Sequence, residues 1–189
     1  RGMGSSAASA IAIVRAFFAF FETELSDAEL QRWANIEEAI THGSPSGIDA
    51  ATTAHDVPVR FVKGEKPEPM ALHGTLIIAD TGVHGQTGLA VSVVREQLDN
   101  EPEATRPHID ALGQIARETR EDLANDDIQS LGRHMNDAQS HLSALGVSHP
   151  KLDELINAAN QAGALGAKLT GGGVGGAMLA LAQSDEDVQ

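Results

Sequence analysis

The chain has no cysteine, which excludes disulfides and thiolate sites and fits a reducing compartment. It is short of positive charge: 13 basic residues face 27 acidic ones, a net charge of −14. That balance argues against nucleic acid and anionic membranes as general partners. It leaves a nucleotide substrate open, because a few local N–H donors and one Mg²⁺ outweigh a distant field. No apolar run reaches the roughly 18–20 residues that span a bilayer. The most apolar stretch, Ile11 to Phe21, is too short, is interrupted by Arg15 and is followed by no cleavage site. A soluble, cytoplasmic protein is the expectation. The eight histidines are scattered without His-x-x-x-His spacing, so zinc is not expected. Repeats and low-complexity tracts are absent, and so is the Walker spacing of a P-loop.

What the chain does have is glycine in two places. Arg1-Gly-Met-Gly-Ser-Ser-Ala-Ala8 opens it and Lys168-Leu-Thr-Gly-Gly-Gly-Val-Gly-Gly176 lies near its end, with His42-Gly-Ser-Pro-Ser-Gly-Ile-Asp49 between them. At 189 residues the length suits one large domain or two small ones. Arg1 is not a start residue, Gly2 begins a motif that normally follows a strand, and Gln183 to Gln189 stop in a charged segment. The larger part of a longer protein is therefore expected.

Ser5 to Phe21 reads as a buried helix entered through Gly-Ser-Ser. Ser26-Asp-Ala-Glu29 is a capping box. The helix behind it carries Leu30, Trp33, Ala34 and Ile40 on one face and ends at His42-Gly43. Gly43 to Gly47 is a loop on turn chemistry, and Ile48 to Ala54 begins a short helix. Val57 to Val62 alternates like a strand. Lys63 to Pro69, charged and with two prolines, reads as a linker. Thr75 to Ala79 is a second strand. Helices follow over Thr87 to Leu98, around Ile109 to Leu123, along Ile128, Leu131, Met135, Ala138, Leu142 and Leu145, and from Leu152 to Gly163. Ala177 to Ala182 is an apolar strand. Strand, several helices, then strand predicts an α+β fold with helices packed on one face of a sheet.

Each candidate site has a plain reading beside the functional one. A helix starting at Ser5 or Ser6 aims free N–H groups at an anion, and a serine hydroxyl is a hard donor for Mg²⁺; the plain alternative is a capped helix entry. Five glycines within Gly171 to Gly176 cost backbone entropy, which close approach to a ligand would justify; the alternative is a flexible hairpin. Lys168 reads as a surface ion pair. Glu38 and Asp49 flank the Ser-Pro-Ser-Gly turn, one suited to Mg²⁺ and the other to orienting or deprotonating a hydroxyl. Spacing does not separate Glu37 from Glu38. Thr81, Thr87 and the His84-Gly85-Gln86 loop follow a strand end, where substrate contacts are common; a simple connection is the alternative.

Taken together, the order of these motifs resembles the GHMP kinases. Gly2-Met-Gly-Ser-Ser-Ala-Ala8 is similar to the family's phosphate-binding motif, and Lys168 to Gly176 to its C-terminal glycine motif. Within the family, His42 to Asp49 is similar to the form found in mevalonate kinases, as are Ile78-Ala-Asp-Thr-Gly82 and Gly85-Gln-Thr-Gly88 to the bacterial ones. The resemblance extends over essentially the whole chain. It implies ATP and mevalonate as substrates and Mg²⁺ as cofactor. It implies Asp49 as the catalytic residue, with Ser6 and Glu38 as metal ligands. Glu38 is preferred to Glu37 because it stands four residues before His42. Gly2, Met3, Gly4, Ser5, Ser6, Ala7, Gly171, Gly172 and Gly173 would contact the nucleotide, and Thr87 and Gly172 the acceptor substrate.

The implied fold has two α+β domains with the active site between them. Residues 1–69 would be part of an S5-like N-terminal domain, and residues 70–189 most of a ferredoxin-like C-terminal one. A homodimer is the family's common assembly. Another member, such as phosphomevalonate kinase, would want more Lys or Arg near Thr81 to Thr87, where only His84 stands. A non-catalytic binding member would not need Glu38 and Asp49. The family's N-terminal motif, with a lysine that pairs with the catalytic aspartate and residues that hold mevalonate and adenine, has no match in this chain.

Overall fold

A computed structural model describes residues 4–42 and 46–184. The chain divides into two compact units, Met3–Ala71 and Leu72–Gln189.

The first unit opens with α1 (Ser5–Phe20), α2 (Asp27–His42) and α3 (Ile48–Thr53). The capping box forms at the start of α2: the Glu29 N–H donates to Ser26 Oγ, and the Ser26 N–H to Glu29 Oε2, both at 3.3 Å. The Ser26 side-chain and backbone bonds hold the Glu29 carboxyl below its ordinary pKa. Ile11, Leu30, Ala34 and Ala50 form the core where the three helices meet. Arg15, the residue that interrupts the apolar stretch, donates to the Ala54 carbonyl at the end of α3 (3.0 Å).

Three expectations change here. First, α1 packs against α2 and α3 but is not buried on all sides: Ile13, Phe17 and Phe20 are 61–79% exposed. Second, Leu30 and Ala34 are buried while Trp33 and Ile40 are exposed, since the two pairs lie on different sides of α2 at 3.6 residues per turn. Third, Lys63 to Pro69 is not an open linker. β2 (Glu68–Pro69) pairs antiparallel with β1 (Val59–Arg60), and Arg60 reaches Glu65 and Glu68 at 3.5 and 3.6 Å.

The second unit contains β3 (Thr75–Asp80), α4 (Thr87–Asn100), α5 (Pro102–Ala124), α6 (Ile128–Ala144), α7 (Pro150–Gln161), β4 (Gly166–Thr170) and β5 (Ala177–Ala182). The strands form one antiparallel sheet in the order β3-β5-β4. β4 runs directly into the glycine stretch with no turn signal between them, and the sequence pattern does not announce it. The register puts Ile77, Ala180 and Ala167 side by side, as it does Ala79, Met178 and Leu169. This face is sealed by Ala90 of α4 and by Leu152 and Ile156 of α7. Starts are capped as local chemistry dictates. Asp127 accepts from the Ser130 N–H ahead of α6 (2.9 Å), and Pro150 opens α7.

α6 lies against β4, the edge strand. Two glycines allow this: a Cβ on Gly132 would stand 2.5 Å from the Leu165 carbonyl oxygen, and one on Gly166 would overlap the Gly132 carbonyl. Backbone atoms cannot yield as a side chain does. Gly132→Ala is therefore expected to destabilise the second unit by about 1–3 kcal/mol, read as a lower urea midpoint. An unchanged midpoint would show that the helix can slide off the strand at no cost.

Candidate active site

In the first unit, the start of α1 and the start of α3 come together. Gly4 caps α1 with φ 64°, a conformation that favours glycine. The space a Cβ would fill there is 3.6 Å from Asp49 Cβ and 3.7 Å from its Cγ. Asp49 is exposed in the first turn of α3, behind Gly47. Its carbonyl accepts from Thr53 Oγ1, one turn further along α3. Ser6 is half-buried in the first turn of α1, and Ala7 is fully buried beneath it. The start of α1 thus sets Gly4 beside Asp49, with Ser6 in the same first turn as Ala7.

Gly2 and Met3, Gly43 to Pro45, and the side chains of Ser5 and Glu38 lie outside the described residues. Glu37 is half-buried on α2. Among the described residues no group of three or more His, Cys, Asp or Glu converges on one point.

In the second unit, the glycine stretch is the turn of a hairpin. Thr170 and Ala177 are register partners, and Gly171 to Gly176 closes the end between them. The turn is tightly held. Thr81 Oγ1 and the Thr81 N–H both donate to the Gly176 carbonyl, at 2.6 and 2.9 Å. The Gly176 N–H donates to Val83 O (2.8 Å), the Gln86 N–H to Gly173 O (3.3 Å), and the Val174 N–H to Val147 O (2.8 Å). A Cβ on Gly172 would overlap Thr87 Oγ1. Thr87, the first residue of α4, and Gly172 are therefore neighbours, as are Gly173 and the α6–α7 connection. The glycines are accounted for first by this packing, which a flexible hairpin would not have. Val147 carried no sequence signal: it is one apolar residue in a loop.

Two family models match the chain: the GHMP kinases N terminal domain over residues 1–56 and the GHMP kinases C terminal over residues 119–189. The chain belongs to the GHMP kinase family. The mixture of helices and antiparallel sheet is that family's fold. A mevalonate kinase of Aeropyrum pernix is 38% identical over 98% of the chain. One of Thermococcus gammatolerans is 37% identical over 96%. The crystal structure of L. major mevalonate kinase in complex with R-mevalonate superposes with a TM-score of 0.90 at 29% identity, covering 98% of the chain. The chain spans 56–58% of the length of these relatives.

Lys168, at the head of the glycine motif, is not a surface ion pair. It sits in mid-β4, register partner to Leu179, half-buried, and its Nζ donates to the Leu169 carbonyl at 2.7 Å. Among the described residues no carboxylate pairs with it. Burial holds its pKa below the ordinary 10.5, because desolvation disfavours the ammonium. Between the lowered and the ordinary value the unfolded chain binds more protons at this position than the folded one. Stability therefore falls as pH drops through that window, and the penalty is complete below it. Lys168→Met is expected to melt at a higher temperature than the parent at pH 7, with the gain shrinking as pH rises towards 10.5. A gain that stayed constant over that range would assign it to packing and not to charge.

Proposed function

We propose that the whole protein to which this chain belongs transfers the γ-phosphoryl group of ATP to the 5-hydroxyl of (R)-mevalonate, as a cytoplasmic homodimer. The relatives support the acceptor: curated proteins 36–38% identical over nearly the whole chain are mevalonate kinases. The observation that carries the chemistry is the Asp49 carboxyl group beside Gly4 at the start of α1. A helix start favours phosphate through its free N–H groups and its dipole, and a carboxylate beside it can take a hydroxyl's proton. Residues 1–69 are assigned to the ATP-binding half and residues 70–189 to the C-terminal half.

In this reading Asp49 accepts the proton of the 5-hydroxyl as its oxygen bonds to the γ-phosphorus. The bond from that phosphorus to the β–γ bridging oxygen breaks, and ADP leaves with the electron pair. Gly4, Ser5, Ser6 and Ala7, with Gly2 and Met3 before them, and Gly171 to Gly173 offer backbone N–H groups to the phosphates. Thr87, against Gly172, contacts the acceptor.

The Ser6 hydroxyl is a donor of the kind Mg²⁺ takes. Ser6 offers a half-buried hydroxyl in the first turn of α1, and the ion, which keeps several waters and takes phosphate oxygens, needs only one or two protein oxygens. Ser6 and Glu38 would hold it, and it would neutralise charge on the β- and γ-phosphates.

The test is ADP release by the whole protein with mevalonate, phosphomevalonate, galactose and homoserine in parallel. Turnover is expected with mevalonate, and Asp49→Asn should lower kcat about 100-fold or more while ATP still binds. Preference for another of the four would move the acceptor assignment. Near parental turnover in Asp49→Asn would remove Asp49 from the chemistry.

A further inference from the structure

Gln139 is a polar residue beside the apolar stripe of α6, between Met135 and Leu142, and only 8% exposed. Burying an amide costs stability unless its hydrogen bonds are made, and here they are. Its Oε1 accepts from the Leu169 N–H at 2.9 Å, and its Nε2 donates to Ser143 Oγ and Ser148 Oγ, each at 3.2 Å. Ser148 in turn donates to Asp153 Oδ1 at 2.6 Å. One turn earlier, Asn136 Oδ1 accepts from the Ala167 N–H at 3.0 Å. The two amides thus occupy N–H groups of β4 that no strand among the described residues pairs, at the outer edge of the sheet, which otherwise invites pairing with another chain.

The two ends of Gln139 reach different supports of the same turn. Leu169 lies two residues before Gly171, on the strand that leads into the turn. Ser148 follows Val147, whose carbonyl receives the Val174 N–H from the middle of the turn. One rigid, buried side chain therefore ties the entrance of the Gly171–Gly176 turn to the loop that grips its centre. Residue 139 is the point through which those two supports share one position.

We propose that Gln139 is a positioning residue that fixes the Gly171–Gly176 turn by joining β4 to the α6–α7 connection. The consequence for catalysis rests on the reading of that turn as a phosphate contact; the positioning itself does not. Gln139→Leu would release both supports. Gln139→Glu would keep an acceptor for Leu169 but lose the donor to Ser148, whose own proton is committed to Asp153. Ser148→Ala would loosen only the Val147 side.

The experiment is amide hydrogen exchange on the whole protein, with ATP kinetics beside it. Gln139→Leu is expected to speed exchange at both Leu169 and Val174 at least tenfold, leaving Met178 and Ala180 in the central strand unchanged, and to lower kcat/KM for ATP about tenfold. Ser148→Ala, and Gln139→Glu with it, should speed exchange at Val174 but not at Leu169. This pattern separates positioning from general loss of stability, which would raise exchange at Met178 and Ala180 as well. If Gln139→Leu does not fold, the Ser148→Ala pattern decides. Unchanged exchange at Val174 in the folded variants overturns the proposal, whatever the kinetics. Faster exchange at Val174 with unchanged ATP kinetics supports Gln139 as the anchor and overturns the phosphate role of the turn.

Discussion

The second unit depends on backbone meeting backbone at the Gly171–Gly176 turn. Four carbonyls, of Val83, Val147, Gly173 and Gly176, accept the hydrogen bonds that hold it, and a Cβ on Gly173 or Gly175 would crowd those of Val147 and Val83. The β3–α4 connection and the α6–α7 connection are both shaped by this contact. Thr81 uses its hydroxyl and its N–H on a single carbonyl, that of Gly176. Gly173 has φ 81° while the space a side chain would need is already taken by Val147. Five glycines cost entropy because the unfolded chain is freer, and the bonds they permit offset that cost. The turn is built to be still.

Much of this was legible in residues and some was not. The stripe of α6 from Ile128 to Leu145 gave its helix because the 3.6-residue period leaves little alternative. Ser26 and Glu29 gave their reciprocal cap because both donors lie within four residues. Local chemistry decides such features. Exposure is decided elsewhere: Phe17 and Phe20 are as apolar as Ile11, and only the neighbours of α1 determine which of them is covered. Lys63 to Pro69 has the composition of a linker, yet the hairpin comes from two short segments finding each other, which composition does not record. Lys168 has an ordinary surface side chain by type. Its burial follows from a strand, β4, that is hidden inside a glycine motif. Gln139 lies beside the apolar stripe that identifies its helix, and only its partners explain why an amide is buried there.

The first unit shows the same division. His42 to Asp49 could be read as a turn followed by a helix, and Gly2 to Ala8 as a helix entry. That Gly4 and Asp49 are neighbours is a matter of packing: Ala7, Ala50 and Ala51 have no exposure and let α1 and α3 approach closely. Small residues below the site bring the carboxylate to the helix start, so Ala7 in the first motif and Ala50 and Ala51 just behind the second matter as much as the serines and glycines.

Packing and function do not compete as explanations of the glycines. Phosphoryl transfer asks little covalent chemistry of the protein and much positioning, and donors fixed before the reaction need no reorganisation during it. A slack glycine turn would have to be ordered by each nucleotide that arrived, at the cost of binding energy. A turn pinned at Gly173, Val174 and Gly176 by its own chain would hold the amides of Gly171 to Gly173 in place before a nucleotide arrived. For the reaction proposed here, the internal contacts that make the glycines structurally necessary are the same contacts that would make their amides useful.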